Sequence, residues 1–446
     1  MSVPRVLEPA LPARSTPADP VDRPPRIVYL SGSGALGGAE LDLVDIAAAL
    51  RQAHPDWRLS AVLGDEGPLH QTLKELGVAC TILPLPQRLG RLGDAGLRDV
   101  GGAFRLASQA PGAALAVVGY LRRLRRILRE ARPDWVQSND MKAHVLGAWS
   151  APRGVPLAWY FQDYLGSRPI MSRLLRWSSA SARSRSRQVV PVAISRSVAA
   201  DAERVLGRKR GTLPTIYPAI DLERFAPGPG DGEALDRAAG LPSAPTGTVR
   251  VGLVATFARW KGHEVFLEAA ARVARTLDPH PPCRFYVVGG PIYRTTGSQC
   301  SLEELRALAA RLGMETVGFT GHWPEPASAI RALDVVVHAS TRPEPFGRVI
   351  AEGMACGRAV VAVGRDGPAG PAGGSAELFE DGVSALACPS GDPEALAVAI
   401  GRLIADAGLR RRLGDAGRQT VLARFDRPRL AQDWGPLYLG RRTPGR

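Results

Sequence analysis

Cysteine is scarce in this 446-residue chain, and the five that occur (Cys80, Cys283, Cys300, Cys356 and Cys388) form no C-x-x-C pair. An odd, scattered set excludes a disulfide framework and makes no demand for an oxidising compartment. No apolar run approaches the ~20 residues that cross a bilayer. The amino terminus, MSVPRVLEPALPARSTPADPVDRPPR, lacks the apolar core of a secretory signal. A cytoplasmic location is expected, with residues 1–25 as a disordered leader of proline, alanine and charge. No D-x-D occurs, nor H-E-x-x-H, nor a Cys/His cluster with zinc spacing, nor a G-x-S-x-G elbow. These absences count against zinc sites and serine nucleophiles. No metal is expected, and any diphosphate would fall to arginine, lysine and a helix end.

What the chain has in excess is arginine. The net charge is +14, and its clusters lie in the first half: residues 120–132, 168–177, 182–187 and 207–210. Such a balance favours something anionic: nucleic acid, a membrane surface or a phosphorylated substrate. The length exceeds one compact core, so two domains are expected. Near Arg26 continuous apolar strands begin to alternate with helices, and after a Pro- and Gly-dense stretch at 226–247 the alternation restarts at Val249. That stretch reads as a linker or irregular junction. The fold class is therefore α/β, with two Rossmann-like, doubly wound domains at 26–220 and 248–424 facing across a cleft. Ligands are expected at the carboxyl ends of the strands.

Three stretches carry candidate chemistry. Gly32-Ser33-Gly34-Ala35-Leu36-Gly37 fits G-x-G-x-x-G between a strand and a helix, which is the dinucleotide fingerprint. The acidic residue that should follow the second strand is Asp65, further on than expected. The other reading is a loop kept glycine-rich for close approach, with Gly37 and Gly38 bordering the cleft. Arg259-Trp260-Lys261-Gly262 follows the first strand of the second block. It is either a phosphate grip, a fork plus a point charge, or a solvated basic turn. The third stretch, RPEPFGRVIAEGMACG (342–357), places Glu344 before a helix start at Gly347 and Glu352 inside an otherwise apolar helix. The helix start can receive a phosphate. Glu352, costly to bury alone, would bind ribose hydroxyls or else be satisfied by backbone or an arginine. Glu344 would meet sugar hydroxyls or merely cap the helix.

Taken together, these residues resemble the retaining nucleotide-sugar glycosyltransferases of family 4, with GT-B architecture. The carriers are ATFARWKGHEVFLEAA (255–270), the E-x7-E element Glu344…Glu352, and ELFEDGVSALACPSGDPEALA (377–397). GGAE (37–40), VAISRSVAAD (192–201) and YPAIDLERF (217–225) add to it in the first block. The resemblance implies that Glu344 contacts the donor sugar, with Phe346, Gly347 and Arg348 beside it, and that Glu352 binds the ribose. It implies that Lys261 and an arginine hold the diphosphate as leaving group, with His322 and Trp323 near the base. The acceptor side would fall to Gly37, Gly38, Glu40, Tyr160 and Asp163, and the last segment (425–446) would cross back to the first domain. Two positions depart from the family pattern. Thr256 stands where an arginine is usual, five before Lys261, leaving Arg259 as a substitute; Tyr160 stands where a histidine is usual.

The implied activity is metal-independent transfer, with retention, from a nucleotide sugar to a glycan or lipid-linked acceptor of the cell envelope or exopolysaccharide. No cofactor beyond the donor is implied. A non-enzymatic binding protein of the same shape, a nucleotide-sugar epimerase and a dehydrogenase are the alternatives. RPIMSRLLRW (168–177) places Ile170, Leu174 and Trp177 on one face, flanked by Met171 and Leu175, with Arg173 and Arg176 opposite. An anionic membrane surface fits that segment; nucleic acid does not, because no binding motif accompanies the charge.

Overall fold

Runs such as LAWYF (Leu157–Phe161) and VVVH (Val335–His338) are buried along their whole length. Strands of that kind are stable only inside a sheet covered by helices on both faces. The computed structural model, which describes residues 23–86, 110–184, 188–276, 281–291, 299–314 and 316–440, contains two six-stranded sheets of this type. The chain divides into two units, residues 1–219 with 427–446 and residues 220–426.

In the first unit the order is β1 (Arg26–Ser31), α1 (Gly38–Ala53), β2 (Arg58–Leu63), α2 (Pro68–Glu75), β3 (Ala79–Ile82), α3 (Ala110–Ala131), β4 (Trp135–Ser138), α4 (Met141–Ser150), β5 (Leu157–Phe161), α5 (Pro169–Ser184), β6 (Val189–Ala193) and α6 (Arg196–Leu206). The sheet runs β3-β2-β1-β4-β5-β6, with every pair parallel. Helix α4 packs against both α3 and α5.

The last helix of the chain, Arg429–Tyr438, also belongs to this unit, lying against α1. Its Tyr438 carbonyl accepts from Trp135 Nε1 at 2.9 Å, and its Tyr438 hydroxyl bonds Gln137 Oε1. Trp434 meets the Tyr160 ring edge-on at 5.1 Å, and Arg429 donates to the Tyr217 carbonyl at 2.7 Å. Among the described residues no helix is long and apolar enough to cross a membrane.

The second unit runs α7 (Gly232–Ala238), β7 (Val249–Val254), α8 (His263–Thr276), β8 (Cys283–Val288), α9 (Leu302–Arg311), β9 (Gly318–Gly321), α10 (Pro326–Ala332), β10 (Val335–His338), α11 (Arg348–Ala355), β11 (Ala359–Arg365), β12 (Leu386–Pro389), α12 (Pro393–Ala405) and α13 (Ala407–Arg424). Its sheet order is β12-β11-β10-β7-β8-β9, again parallel throughout. In both sheets the order reverses beside the first strand, between β1 and β4 and between β7 and β10.

One sequence expectation is corrected here. Residues 226–247 are not a free junction: they belong to the second unit and contain α7. Its seven residues are too few for a periodic signal, and the flanking prolines and glycines mask it. Asp231 caps the helix by accepting from Ala234 N at 2.9 Å. Asp236, 1% exposed, anchors it to the sheet by accepting from Arg250 (2.9 Å), Arg284 (2.6 Å), the Tyr286 hydroxyl and Ala244 N (3.1 Å).

Burial pushes the Asp236 carboxyl up, but the hydrogen bonds from Tyr286, Arg250 and Arg284 outweigh it and hold the group at about 2. Asp236→Ala strands two arginines and should lower the unfolding free energy by roughly 3–5 kcal/mol, read from urea denaturation; an unchanged midpoint would refute the anchor. The carboxylate's contribution is complete above the ordinary aspartate pKa and is lost as pH falls toward about 2. The stability gap between wild type and Asp236→Asn should therefore narrow as pH drops through that window.

Candidate functional site

At a strand-order reversal the connections leave in opposite directions and open a crevice at the carboxyl ends. In the second unit that crevice lies between the loops after β7 and β10. The β7 loop closes in a 3-10 turn, Arg259–Lys261, that ends at Gly262 with φ 76°. A Cβ on Gly262 would sit 1.8 Å from the Ala339 carbonyl oxygen, so only glycine lets the turn rest on the β10 loop. Thr341 N donates to the Trp260 carbonyl at 2.8 Å and stitches the two loops together.

Lys261 and Glu344 meet across this seam, Nζ to Oε2 at 2.8 Å. Ser340 Oγ donates to the same oxygen at 2.8 Å, and His338 Nε2 lies 3.4 Å from it. The backbone holds Glu344 on both sides: its N–H donates to Ala372 O at 3.1 Å, and its carbonyl accepts from Gly374 N at 2.7 Å. Burial pushes the Glu344 carboxyl up, but the Lys261 ammonium and His338 overcome it and hold it well below the usual carboxylate range. The group is an anion locked to a cation.

Immediately after it, Gly347 adopts φ 95° and α11 begins. The Phe346 side chain, 2% exposed, turns into the core and meets Phe425 edge-on at 5.6 Å. Glu352 does not wait for a ligand to find a partner. Arg348, one helical turn earlier, brings its Nε within 3.5 Å of Glu352 Oε1, so the arginine reading of that carboxylate holds here.

Arg259 is corrected as a neighbour of this cluster. Its guanidinium reaches both Glu304 oxygens at 3.1 Å and Cys300 Sγ at 3.7 Å, on and beside the start of α9. Two residues of 3-10 turn carry it roughly 240° around the axis from Lys261. Thr256, where the resemblance led to an expectation of arginine, stands just past the end of β7 with a buried hydroxyl that has no hydrogen-bond partner among the described residues. Exposed His322 follows β9, beside Gly290 at the end of β8, and Trp323 Nε1 donates to Ser328 Oγ at 2.9 Å.

Sequence reasoning missed His338, Ser340 and His263. The first two stand at alternate positions along DVVVHAS, which puts them on one face of the strand's end; polar residues closing an apolar strand were the available signal. His263, 1% exposed, has neither ring nitrogen hydrogen-bonded among the described residues. Burial first, then Lys261, pushes its pKa down to about 4, so it is neutral. Among the described residues no three His, Cys, Asp or Glu side chains gather as a metal site requires.

In the first unit the glycine loop lies at the β1–β4 reversal, and three carboxylates occupy its N–H groups. Gly32 N donates to Asp140 Oδ2 at 2.7 Å, Gly34 N to Asp65 Oδ1, and Gly37 N to Glu40 Oε2 at 3.1 Å. A Cβ on Gly64 or Gly67 would lie 2.3 Å from the Gly32 or Gly34 carbonyl oxygen. The glycines admit the chain's own 64–67 loop, and the dinucleotide reading fails because carboxylates stand where a pyrophosphate would bind. Gly38 opens α1. Burial leads in pushing the Glu40 carboxyl up, with Asp140 and Asp65 adding to it against two backbone hydrogen bonds. Asp163 pairs with Arg168 at 2.9 Å. Tyr160 is corrected: it is 0% exposed, its hydroxyl donates to the Ile216 carbonyl at 2.6 Å, and it belongs to the core under Trp434.

A family model described as "Glycosyl transferases group 1" matches residues 248–406, and one described as "Glycosyltransferase Family 4" matches residues 69–224. The D-inositol 3-phosphate glycosyltransferase of Corynebacterium jeikeium is 35% identical over 209 residues, 46% of this chain and 46% of that protein. The lipopolysaccharide core biosynthesis glycosyltransferase LpsE of Rhizobium meliloti is 31% identical over 172 residues, 38% of this chain and 44% of that one. The chain spans about half the length of the curated relatives it matches. The crystal structure of Anabaena HepE in complex with UDP-glucose is similar over 93% of this chain and 99% of that one, at 26% identity and a TM-score of 0.70. With one family model in each unit and a solved relative matched over nearly its whole length, the chain belongs to glycosyltransferase family 4 and has the GT-B fold.

Proposed function

We propose that this protein transfers a sugar, with retention and without a metal, from a nucleotide-sugar donor to a glycan or lipid-linked acceptor of the cell envelope or exopolysaccharide. The observation that carries the reading is the Lys261–Glu344 pair, 2.8 Å apart at the β7–β10 reversal and beside the start of α11. Lys261 and the positive end of α11 stabilise the diphosphate as it leaves. Glu344 accepts from hydroxyls of the transferred sugar. Glu352 trades its loose contact with Arg348 for the ribose hydroxyls, while His322 and Trp323 border the base. The anomeric C–O bond to phosphate breaks with its electron pair going to the diphosphate. The acceptor oxygen bonds to the same face of the anomeric carbon and gives its proton to the departing phosphate. Complexes of HepE with UDP and with UDP-glucose favour a uridine donor, and LpsE favours an envelope glycan.

An anionic membrane surface is part of the proposal. Helices α3 and α5 flank α4, and each exposes apolar and basic residues together. Leu115 and Val118 on α3 are 75% and 41% exposed; Ile170 and Trp177 on α5 are 54% and 60% exposed. Arg122, Arg123, Arg126, Arg173 and Arg176 are exposed with them. Leu175 faces the core, so the apolar face expected for this segment is divided between core and solvent. Cationic charge beside protruding Trp and Ile suits anionic lipid headgroups. The further side chains at Arg183, Arg185 and Arg187 lie outside the described residues.

Three outcomes are expected. UDP-sugars should raise the melting temperature above that of the apo-protein in a panel with GDP-, ADP- and dTDP-sugars; no stabilisation by any of them would end the reading. Glu344→Gln should lower transfer on the order of 100-fold or more with the fold retained by circular dichroism, whereas a binding protein would lose no function. Arg173→Ser with Arg176→Ser should weaken binding to sedimented anionic vesicles roughly 30-fold, from about 1 kcal/mol for each of the two charges, and equal binding would remove the membrane from the proposal.

A further inference from the structure

We infer that His338 is a positioning residue for Glu344: it holds the carboxylate in place and ionised when Lys261 turns to the diphosphate. This rests on the reading that Glu344 meets the donor sugar. His338 ends β10, paired in register with Ala362, and is 3% exposed. Lys261, Ser340 and His338 all converge on one oxygen, Oε2. They are not equivalent. Lys261 is the only permanent cation of the three, on a flexible stem, and an incoming diphosphate competes for it. Ser340 and His338 are short side chains on a strand end and its loop, with little freedom to leave. Once the ammonium is shared with phosphate, these two still hold Oε2, and loosening that hold would free a buried carboxylate to rotate or take up a proton.

The tautomer follows from the partner. An ionised carboxylate only accepts, so Nε2 carries the proton and donates. That leaves Nδ1, which is buried without a hydrogen-bond partner among the described residues. An orphan of this kind costs stability. An apolar residue of similar size would avoid the cost, so the imidazole's presence is accounted for by the work of its other nitrogen on Glu344.

The test combines kinetics with ¹⁵N NMR of the histidine ring. With a sugar donor that the wild type turns over, His338→Ala should lower kcat on the order of 100-fold, the cost of a group displaced by about an ångström. The Kd for UDP alone, which carries no sugar for Glu344 to meet, should stay within about twofold. His338→Gln, which restores an N–H donor, should recover part of the rate. The double variant His338→Ala/Glu344→Gln should be no slower than Glu344→Gln alone. Additive losses, a parallel loss of UDP binding or an unchanged kcat would overturn the inference. If His338→Ala fails to fold, His338→Gln and His338→Asn provide the same comparison. Independently of turnover, the His338 ring should be protonated at Nε2, and its shifts should move in Glu344→Gln; a proton on Nδ1 alone would overturn the contact. A wild type that transfers no sugar would sink the proposed activity, and the ring spectrum would still decide this contact.

Discussion

The close approach of two loops at Gly262 is the constraint on which the second unit's mouth depends. A side chain there would strike the Ala339 carbonyl, and the 3-10 turn would have to lift away from β10. With glycine the turn seats, Trp260 accepts from Thr341, and Lys261 reaches Glu344 without stretching. The pairing sets the electrostatics of the whole mouth. A buried carboxylate would ordinarily rise in pKa; here it falls, because a cation and an imidazole face it at short range. The site is thus charged and organised before any ligand arrives, which limits the reorganisation that binding requires.

The two sheets share a strand order but use their reversal points differently. In the second unit the crevice presents a lysine and a helix start. In the first, the glycine loop's N–H groups are already bonded to Asp140, Asp65 and Glu40. A glycine motif and a helix end therefore do not by themselves make an anion site; what matters is whether the chain's own carboxylates have taken the donors. Arginine shows the same division. Arg250 and Arg284 are consumed in anchoring α7 through Asp236, whereas Arg122, Arg123 and Arg126 on α3 and Arg173 and Arg176 on α5 stay exposed.

Much was legible in the residues. Continuous apolar strands alternating with helices specify parallel sheets, because nothing else buries both faces of such strands. Lys261, Glu344 and the helix start at Gly347 were readable as separate candidates, since strand ends and glycines mark where loops turn; the family resemblance joined them as one site. Side-chain direction beyond the strand ends was not readable. Arg259 and Lys261 are two residues apart, yet the turn sends one to Glu304 and the other to Glu344. Tyr160 lay where a ligand contact was expected, and its ring packs in the core against Trp434 with its hydroxyl on the Ile216 carbonyl. Short α7 was hidden by its proline- and glycine-rich flanks, and its anchor, Asp236, makes sense only with β7 and β8 beside it.

The sequence by itself determined the α/β class, the two sheets, the glycines that permit close approach and the charged residues available at the strand ends, because burial and backbone freedom are local properties of residue type. Only the tertiary structure decided which charges meet. Lys261 and Glu344 are 83 positions apart, and their contact exists because β7 and β10 are neighbours in the sheet though not in the chain. The same adjacency brings His338 and Ser340 onto the shared oxygen. Ion pairing acts over a few ångströms, and those ångströms are set by strand order, which no local pattern records.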